Sequence, residues 1–334
     1  GISEYVVPFT EATKWQFLAL MFTLMAGTAG LPHVIVRFYT VSTMKAARWS
    51  GAWALLFIGL LYLSAPAYAA FSRFILMTQV AGSSIADLPA WTVSWVNTGS
   101  LSVADTNADG ILQWEEIVIS NDIVVMATPE IANLGIFVIG LMAAGAMAAA
   151  LSTAGGLMIA ISAALSQDIY YRSINPEATE SQRLLVGRAS IVIATVAAGL
   201  VALNPPGAIT QIVAWAFALA SGTFFPALIL GVWWKRANGP GVIAGMLVGL
   251  SVTLTYIFAA KYGGFTILGI IDTGAGVFGA AAAIIAIIVV SLATKAPSKE
   301  IQEEVMDLRY PEGMTYKDGE VWRTDPAEKK RPDH

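Results

Sequence analysis

The segment IANLGIFVIGLMAAGAMAAALSTAGGLMIAISAALSQ, residues 131–167, contains 37 residues without one Asp, Glu, Lys or Arg. A bilayer core about 30 Å thick needs roughly 20 apolar residues per helix, so this run is long enough to cross it. Working outward, the same reading applies to residues 15–36, 49–72, 186–203, 209–234, 240–260 and 273–294, with Asn204-Pro205-Pro206-Gly207 dividing the long uncharged stretch from 189 to 234. Seven membrane spans are therefore expected, in an all-α integral membrane fold. The composition agrees: 56% of the 334 residues are hydrophobic and 13% are charged, against about 25% charged in soluble domains. A water-facing globular enzyme is excluded on that ground. With no Cys, disulfide scaffolds and thiol chemistry are excluded too, and a net charge of −4 offers no basic surface for nucleic acid. His33 and His334 are the two histidines, and no metal-protease helix, phosphate-cradling Gly loop or nucleophile elbow accompanies them. No catalytic role is expected.

The spans sort the basic residues onto two sides. Residues 37–48, 168–188, 235–236 and the tail from 295 hold 16 Lys and Arg, and the remaining connections hold 3. Positive charge stays in the cytoplasm, which places the N-terminal edge outside and the 296–334 tail inside a plasma (inner) membrane. The 73–130 connection, with seven Asp or Glu against one Arg, becomes an extracytoplasmic loop. The tail, with Pro311, Pro326, Pro332 and alternating charges, reads as a mostly polar cytoplasmic extension. Beginning at Gly1 without Met, the chain reads as a piece of a longer protein.

Small residues mark helix contacts. Ala144, Ala148, Ser152, Gly156, Ala160 and Ala164 recur every fourth position, as do Gly241, Gly245 and Gly249; such stripes let backbones approach closely in lipid. In the first span, Ala26-Gly27-Thr28-Ala29-Gly30-Leu31-Pro32-His33 places helix breakers at membrane depth. Irregular backbone there is tolerated where it is buried in protein or lines a cavity, and broken helices point to transporter binding sites. A simple kink is the other reading, just as His33 reads either as an interfacial histidine or as a proton relay.

These residues carry a resemblance. Gly27-Thr28-Ala29-Gly30-Leu31-Pro32-His33-Val34-Ile35-Val36-Arg37-Phe38 is similar to the broken sixth core helix of the sodium/solute symporter family, most like its cation/acetate branch. Ala150-Leu151-Ser152-Thr153-Ala154-Gly155-Gly156 with Ser166-Gln167-Asp168-Ile169-Tyr170 resembles its eighth core helix. Phe224-Phe225-Pro226, Gly231-Val232-Trp233-Trp234-Lys235 and Gly239-Pro240-Gly241 resemble its tenth helix and the following turn. The resemblance implies the C-terminal part of a five-plus-five inverted-repeat transporter, whose missing N-terminal half is the partner that completes the sites. It also implies Na⁺ as coupling ion, held by the Ala149 carbonyl and the hydroxyls of Ser152 and Thr153. Without it, those hydroxyls read as bonding the preceding turn.

Apart from Arg188 at the edge of the 186–203 span, no span carries a fixed charge, so a small organic solute would be held by hydroxyls and freed backbone groups. Candidates are Thr28, Gly30 and Pro32, followed by Tyr62, Tyr68, Ser221 and Thr223. A short-chain monocarboxylate such as acetate fits best. Proton coupling, another solute, a non-transporting sensor and a calcium-binding subunit are the other readings.

A second signature lies in the external loop. Asp105-Thr106-Asn107-Ala108-Asp109-Gly110-Ile111-Leu112-Gln113-Trp114-Glu115-Glu116 matches the twelve-residue EF-hand spacing. Asp105, Asn107, Asp109, the Ile111 carbonyl, Gln113 and Glu116 stand at the ligand positions and Gly110 at the sharp turn. Ca²⁺ is the ion expected; an acidic solvated turn is the bland alternative. Residues 88–104, with Pro89 and Gly99, make a poor entering helix.

Overall fold

The computed structural model describes residues 12–36, 40–120, 122–307, 309, 314–317 and 320–323. Arg37 and Phe38 of the first-span motif, and Pro311, Pro326, Pro332 and His334 of the tail, lie outside the described residues. The chain divides into two compact units, residues 1–35 with 210–334 and residues 36–209.

In the first unit, α1 (Lys14–Gly30) starts at Thr13, whose hydroxyl accepts the Gln16 N–H at 3.1 Å, a good N-cap. It ends because Leu31 is extended (φ −73°, ψ 119°) and Pro32 has no N–H for the Thr28 carbonyl four residues back. The chain resumes as α2 (Pro32–Ile35), with Pro at a position that tolerates it. Long helices α8 (Ile209–Trp233), α9 (Gly239–Gly263) and α10 (Gly276–Ala293) follow. Asn238 caps α9 by accepting the Gly241 N–H at 2.9 Å, and Gly264 closes it in the left-handed region at φ 65°.

The Gly241–Gly245–Gly249 stripe is buried. A methyl at Gly241 would meet Ser291 of α10, and one at Gly245 would meet Ile287. At Gly249 it would meet the Gly222 carbonyl of α8, so three backbones pack without intervening side chains. On α1, Thr23, Gly27 and Gly30 are buried, with Gly27 against the Phe217 backbone of α8. Polar groups fasten one end of this unit. Gln16 donates to Thr273 (2.9 Å) and accepts from the Ile271 N–H (2.9 Å). Buried Asp272 accepts from Gln211 (2.6 Å) and the Trp215 indole (2.7 Å), and the Lys261 ammonium lies 4.4 Å over the Trp215 ring.

Beyond α10, the mostly polar tail forms α11 (Lys299–Asp307) and a hairpin of β3 (Met314–Lys317) with β4 (Glu320–Arg323).

The second unit holds α3 (Met44–Gln79), α6 (Ile136–Ala163) and α7 (Glu180–Leu203). A π-helical stretch, Ala164–Ile174, continues α6. Leu55, Leu61, Leu63, Phe137, Leu151 and Ile193 are all exposed, an apolar surface of the kind that lipid solvates. The Ala144–Ala164 stripe on α6 buries nothing within the helix; the close approach comes near its end, where a methyl added to Gly187 of α7 would lie 2.7 Å from the Ser162 hydroxyl.

The 73–130 connection is a folded cap, which the acidic composition did not announce. Its core is Leu76, Val80, Leu101, Leu112, Ile117, Ala127 and Ile131, gathered from the end of α3, α4 (Ala90–Asn97), the hairpin β1 (Leu101–Val103)–β2 (Ile117–Ile119) and α5 (Val124–Ile131). Leu101 opposes Ile119 and Val103 opposes Ile117.

Among the described residues, six helices are long and apolar enough to cross a membrane, where the sequence predicts seven. The shortfall is α1: its 17 residues span about 26 Å at 1.5 Å per residue, short of a bilayer core of about 30 Å before the break.

Candidate functional site

On α6, the Thr153 hydroxyl donates to the Ala149 carbonyl at 3.1 Å. This is the turn-bonding geometry that a Thr adopts by default, and it also places two of the three expected Na⁺ oxygens side by side. Ala149, Ser152 and Thr153 fall three and four residues apart, on one helix face, and all three are exposed on the second unit. No charged side chain lies on α6. A carbonyl and two hydroxyls are hard, neutral oxygens, suited to a monovalent cation that must also leave.

The solute candidates separate into two groups. In the first unit, Gly30 lies under α8, with space for a methyl closed by the Ala220 carbonyl and the Phe225 N–H, both at 3.0 Å. Thr28 turns its hydroxyl back to the Leu24 carbonyl (2.7 Å), and Pro32 is exposed beyond the break. Ser221 and Thr223 are buried and donate to the Ala218 (2.9 Å) and Leu219 (2.6 Å) carbonyls. Their hydroxyl lone pairs remain as acceptors, but their protons are committed.

In the second unit, Tyr62 is 72% exposed, whereas the Tyr68 hydroxyl donates to the Val125 carbonyl at 2.6 Å. Tyr68 thus ties α3 to α5, joined one turn on by the Ser72–Thr128 hydroxyl pair at 2.6 Å.

One buried hydroxyl was missed by the sequence reading. Thr23 is fully buried and its Oγ1 has no hydrogen-bond partner; it faces Gly276 of α10 beside Ser221. Its spacing to Gly27 and Gly30, four and seven residues on, is the signal that could have found it: one face of a helix.

The Asp105–Glu116 loop lies between β1 and β2. Asp105 accepts from the N–H groups of Asp109 (3.2 Å) and Gly110 (2.9 Å), and Asp109 from that of Ile111 (2.8 Å). Gly110 has φ 75° and Ala108 φ 60°, so the tight turn expected at this position is present. The amides of Asn107 (3.0 Å) and Gln113 (2.8 Å) both donate to Asp109. Glu116 is buried, and its carboxyl is held down from an ordinary 4.5 to about 2, first by the Thr106 hydroxyl (2.7 Å), then by the Gln113 N–H (3.0 Å) and the Thr106 N–H (2.8 Å).

The helix–loop–helix of an EF-hand is absent here: a strand enters, and a single 3₁₀ turn at Trp114–Glu116 leads into β2. The loop leans instead on Ser84, which bridges to Ile111. Among the described residues, no group of three or more Asp, Glu, His or Cys side chains is gathered to hold a metal.

The comparisons with known proteins fit this arrangement. Residues 109–249 match the model of the sodium:solute symporter family. An uncharacterized symporter of Cupriavidus necator is 40% identical over 310 residues, 90% of this chain and 45% of that protein. A monocarboxylic acid transporter of Corynebacterium glutamicum is 33% identical over 256 residues, 75% and 39% respectively. The uncharacterized symporter YwcA of Bacillus subtilis is 30% identical over 259 residues, 76% and 42%. The chain thus spans less than half the length of the curated relatives it matches. With its apolar helices, broken α1 and cap, this multi-pass membrane chain belongs to the sodium:solute symporter family.

Proposed function

We propose that the chain is the C-terminal part of a sodium-coupled symporter for a short-chain monocarboxylate such as acetate. It would have seven spans, a five-plus-five repeat fold, an extracytoplasmic cap and a cytoplasmic tail in the plasma membrane. The observation that carries the reading is the pairing of the Ala149 carbonyl with the Thr153 hydroxyl, one residue from Ser152, on an uncharged helix. Na⁺ bound to these oxygens would place a positive charge in a region of low dielectric. That charge would attract a carboxylate more strongly there than in water. The remaining ligands would come from the N-terminal half. The carboxylate preference is supported by the absence of fixed charge from the interior of the spans and by the Corynebacterium relative, a monocarboxylic acid transporter. Thr28, Gly30 and Pro32 at the break in α1 are the residues assigned to the solute, ahead of Tyr62, Tyr68, Ser221 and Thr223.

Uptake of labelled acetate, pyruvate and proline by the full-length protein, with and without a sodium gradient, tests this. Replacing Ser152 and Thr153 together by Ala should raise the half-maximal sodium concentration at least tenfold, about 1.4 kcal/mol of ion binding. Normal expression with unchanged sodium dependence would reject both residues as ligands.

The same reading includes a weak Ca²⁺ site in the cap, formed by Asp105, Asn107, Asp109, Ile111, Gln113 and Glu116. Its support is the spacing and the left-handed backbone at Gly110. Binding requires the Asn107 and Gln113 amides to rotate, replacing their N–H donation to Asp109 with carbonyl oxygens facing the ion. Calorimetric titration of Ca²⁺ into the full-length protein should then give an affinity in the roughly 10⁻⁴–10⁻³ M range of extracellular modules, weakened most by Glu116→Gln. No heat at millimolar Ca²⁺ would refute the site.

A further inference from the structure

Arg183 and Arg188 of α7 line a cleft of about 330 Å³ together with Ser162, Ser166, Gln167 and Glu180. The opposite wall is the end of α6 and its π-helical continuation. π-helical turns are rare and concentrate at functional sites. Here the stretch carries Ser166, Gln167 and Tyr171 on the segment that packs against α7. Gly187 allows that approach, since a methyl there would lie 2.7 Å from the Ser162 hydroxyl.

The arginines are not accounted for by structural pairing. Arg172, on the same π-helical stretch, has Asp168 at 3.4 Å. Neither Arg183 nor Arg188 has such an ion pair among the described residues, and the buried Arg183 Nε has no hydrogen-bond partner. The Arg183 guanidinium is nevertheless positioned, 4.5 Å over the Tyr171 ring. Glu180 also lines the cleft without pairing with either arginine.

Depth decides what chemistry can arrive. From Ala189 to Leu203, α7 has no charged residue and rises about 22 Å, most of a bilayer core. Arg188 therefore sits at the edge of the hydrocarbon. Arg183 lies about 7.5 Å further along the axis, within the thickness of a headgroup layer. Guanidinium groups bind phosphate oxygens through paired N–H donors, and basic pockets between membrane helices hold anionic headgroups.

We propose that this cleft binds a phosphate group, held by Arg183 and Arg188, with Gln167 and the Ser162 hydroxyl as neutral donors. The phosphate belongs either to an anionic lipid headgroup or to a soluble phosphate. Glu180 opposes the binding and limits its strength. The site is independent of the sodium and solute reading.

The test is native mass spectrometry and thermal melting of the full-length protein in detergent. Phosphatidylglycerol, phosphatidylcholine and inorganic phosphate are added separately. Phosphatidylglycerol is expected to be retained at a tenfold lower concentration than phosphatidylcholine. Arg183→Gln with Arg188→Gln should abolish that preference, whereas the double Lys variant should keep part of it. Glu180→Gln, a change at an exposed position, should strengthen retention severalfold, and it keeps the proposal testable if the double Gln variant does not fold. If millimolar inorganic phosphate raises the melting temperature of the parent alone and displaces the lipid, the source is soluble phosphate; if it does neither, the source is the lipid. Equal retention of both lipids with no response to inorganic phosphate overturns the proposal. So does a preference unchanged in the folded double Gln variant, or weakened by Glu180→Gln.

Discussion

Gly249→Ala is the most direct probe of how the first unit is held together. A methyl at this position would overlap the Gly222 carbonyl oxygen and lie 2.9 Å from both the Gly222 carbonyl carbon and Ala283 Cβ. The obstacle on one side is backbone of α8, and on the other the Cβ of a helix-bound alanine, so no rotamer change relieves it. Overpacking costs about 1–3 kcal/mol, here the upper part of that range, about 2–3, because backbone rather than a side chain must move; the gain of about 1 kcal/mol from replacing a helical Gly by Ala leaves a net loss of about 1–2. The same substitution at Gly231, on α8 with nothing within 4 Å, keeps the gain without the clash. At about 2–4 °C per kcal/mol for domains of 150–250 residues, Gly249→Ala should melt roughly 2–8 °C below the parent, and Gly231→Ala at or above it. Fluorescence-detected size exclusion after heating in detergent reads both. If Gly249→Ala melts at or above the parent with the same elution volume, the three-backbone contact does not bear on stability, and the argument from packing fails.

Two further predictions concern the cap and the orientation. Because Glu116 is held at about 2 against an ordinary 4.5, its contribution to cap stability is complete above pH 4.5 and fades as pH falls from there toward 2. Thr106→Val removes the largest cause, so the acid-induced change in Trp114 emission should begin at higher pH; an unmoved onset refutes the assignment. The 16-to-3 division of Lys and Arg predicts that a single Cys at Thr98 is labelled by an impermeant reagent from outside and one at Ser173 is not, and the reverse pattern would overturn the topology.

What the sequence made legible follows from the solvent. Lipid admits a narrow range of structures, so α3, α6, α7, α8, α9 and α10 can be found as uncharged runs, and Gly241, Gly245 and Gly249 by their spacing. The break in α1 was legible because Pro32 removes a specific N–H. The cap was not, because its core joins residues as far apart as Leu76 and Ile131, and no local periodicity encodes that. The calcium-like spacing of its loop gave no sign of the flanking strands, for which the β-branched run Ile117-Val118-Ile119 was the better local signal. The partner of the Tyr68 hydroxyl, the Val125 carbonyl, was not legible because it is 57 residues away. Thr23 carries no charge, and within its apolar run only the helical spacing to Gly27 and Gly30 distinguishes it.

The fastening of Gln16 to Ile271 has a consequence for biogenesis. The two residues are 255 positions apart, and at about 5–20 residues per second of synthesis the interval between them is roughly 13–50 s. The glycine face of α1 stays unmatched until α8 is made, and its Gln16 end stays unfastened longer still, until Ile271 follows α9. Of the described helices of its unit, α1 is thus made first, yet its Gln16 end is fastened only when α10 is about to be made, and until then the membrane insertion machinery or the lipid must shelter that end.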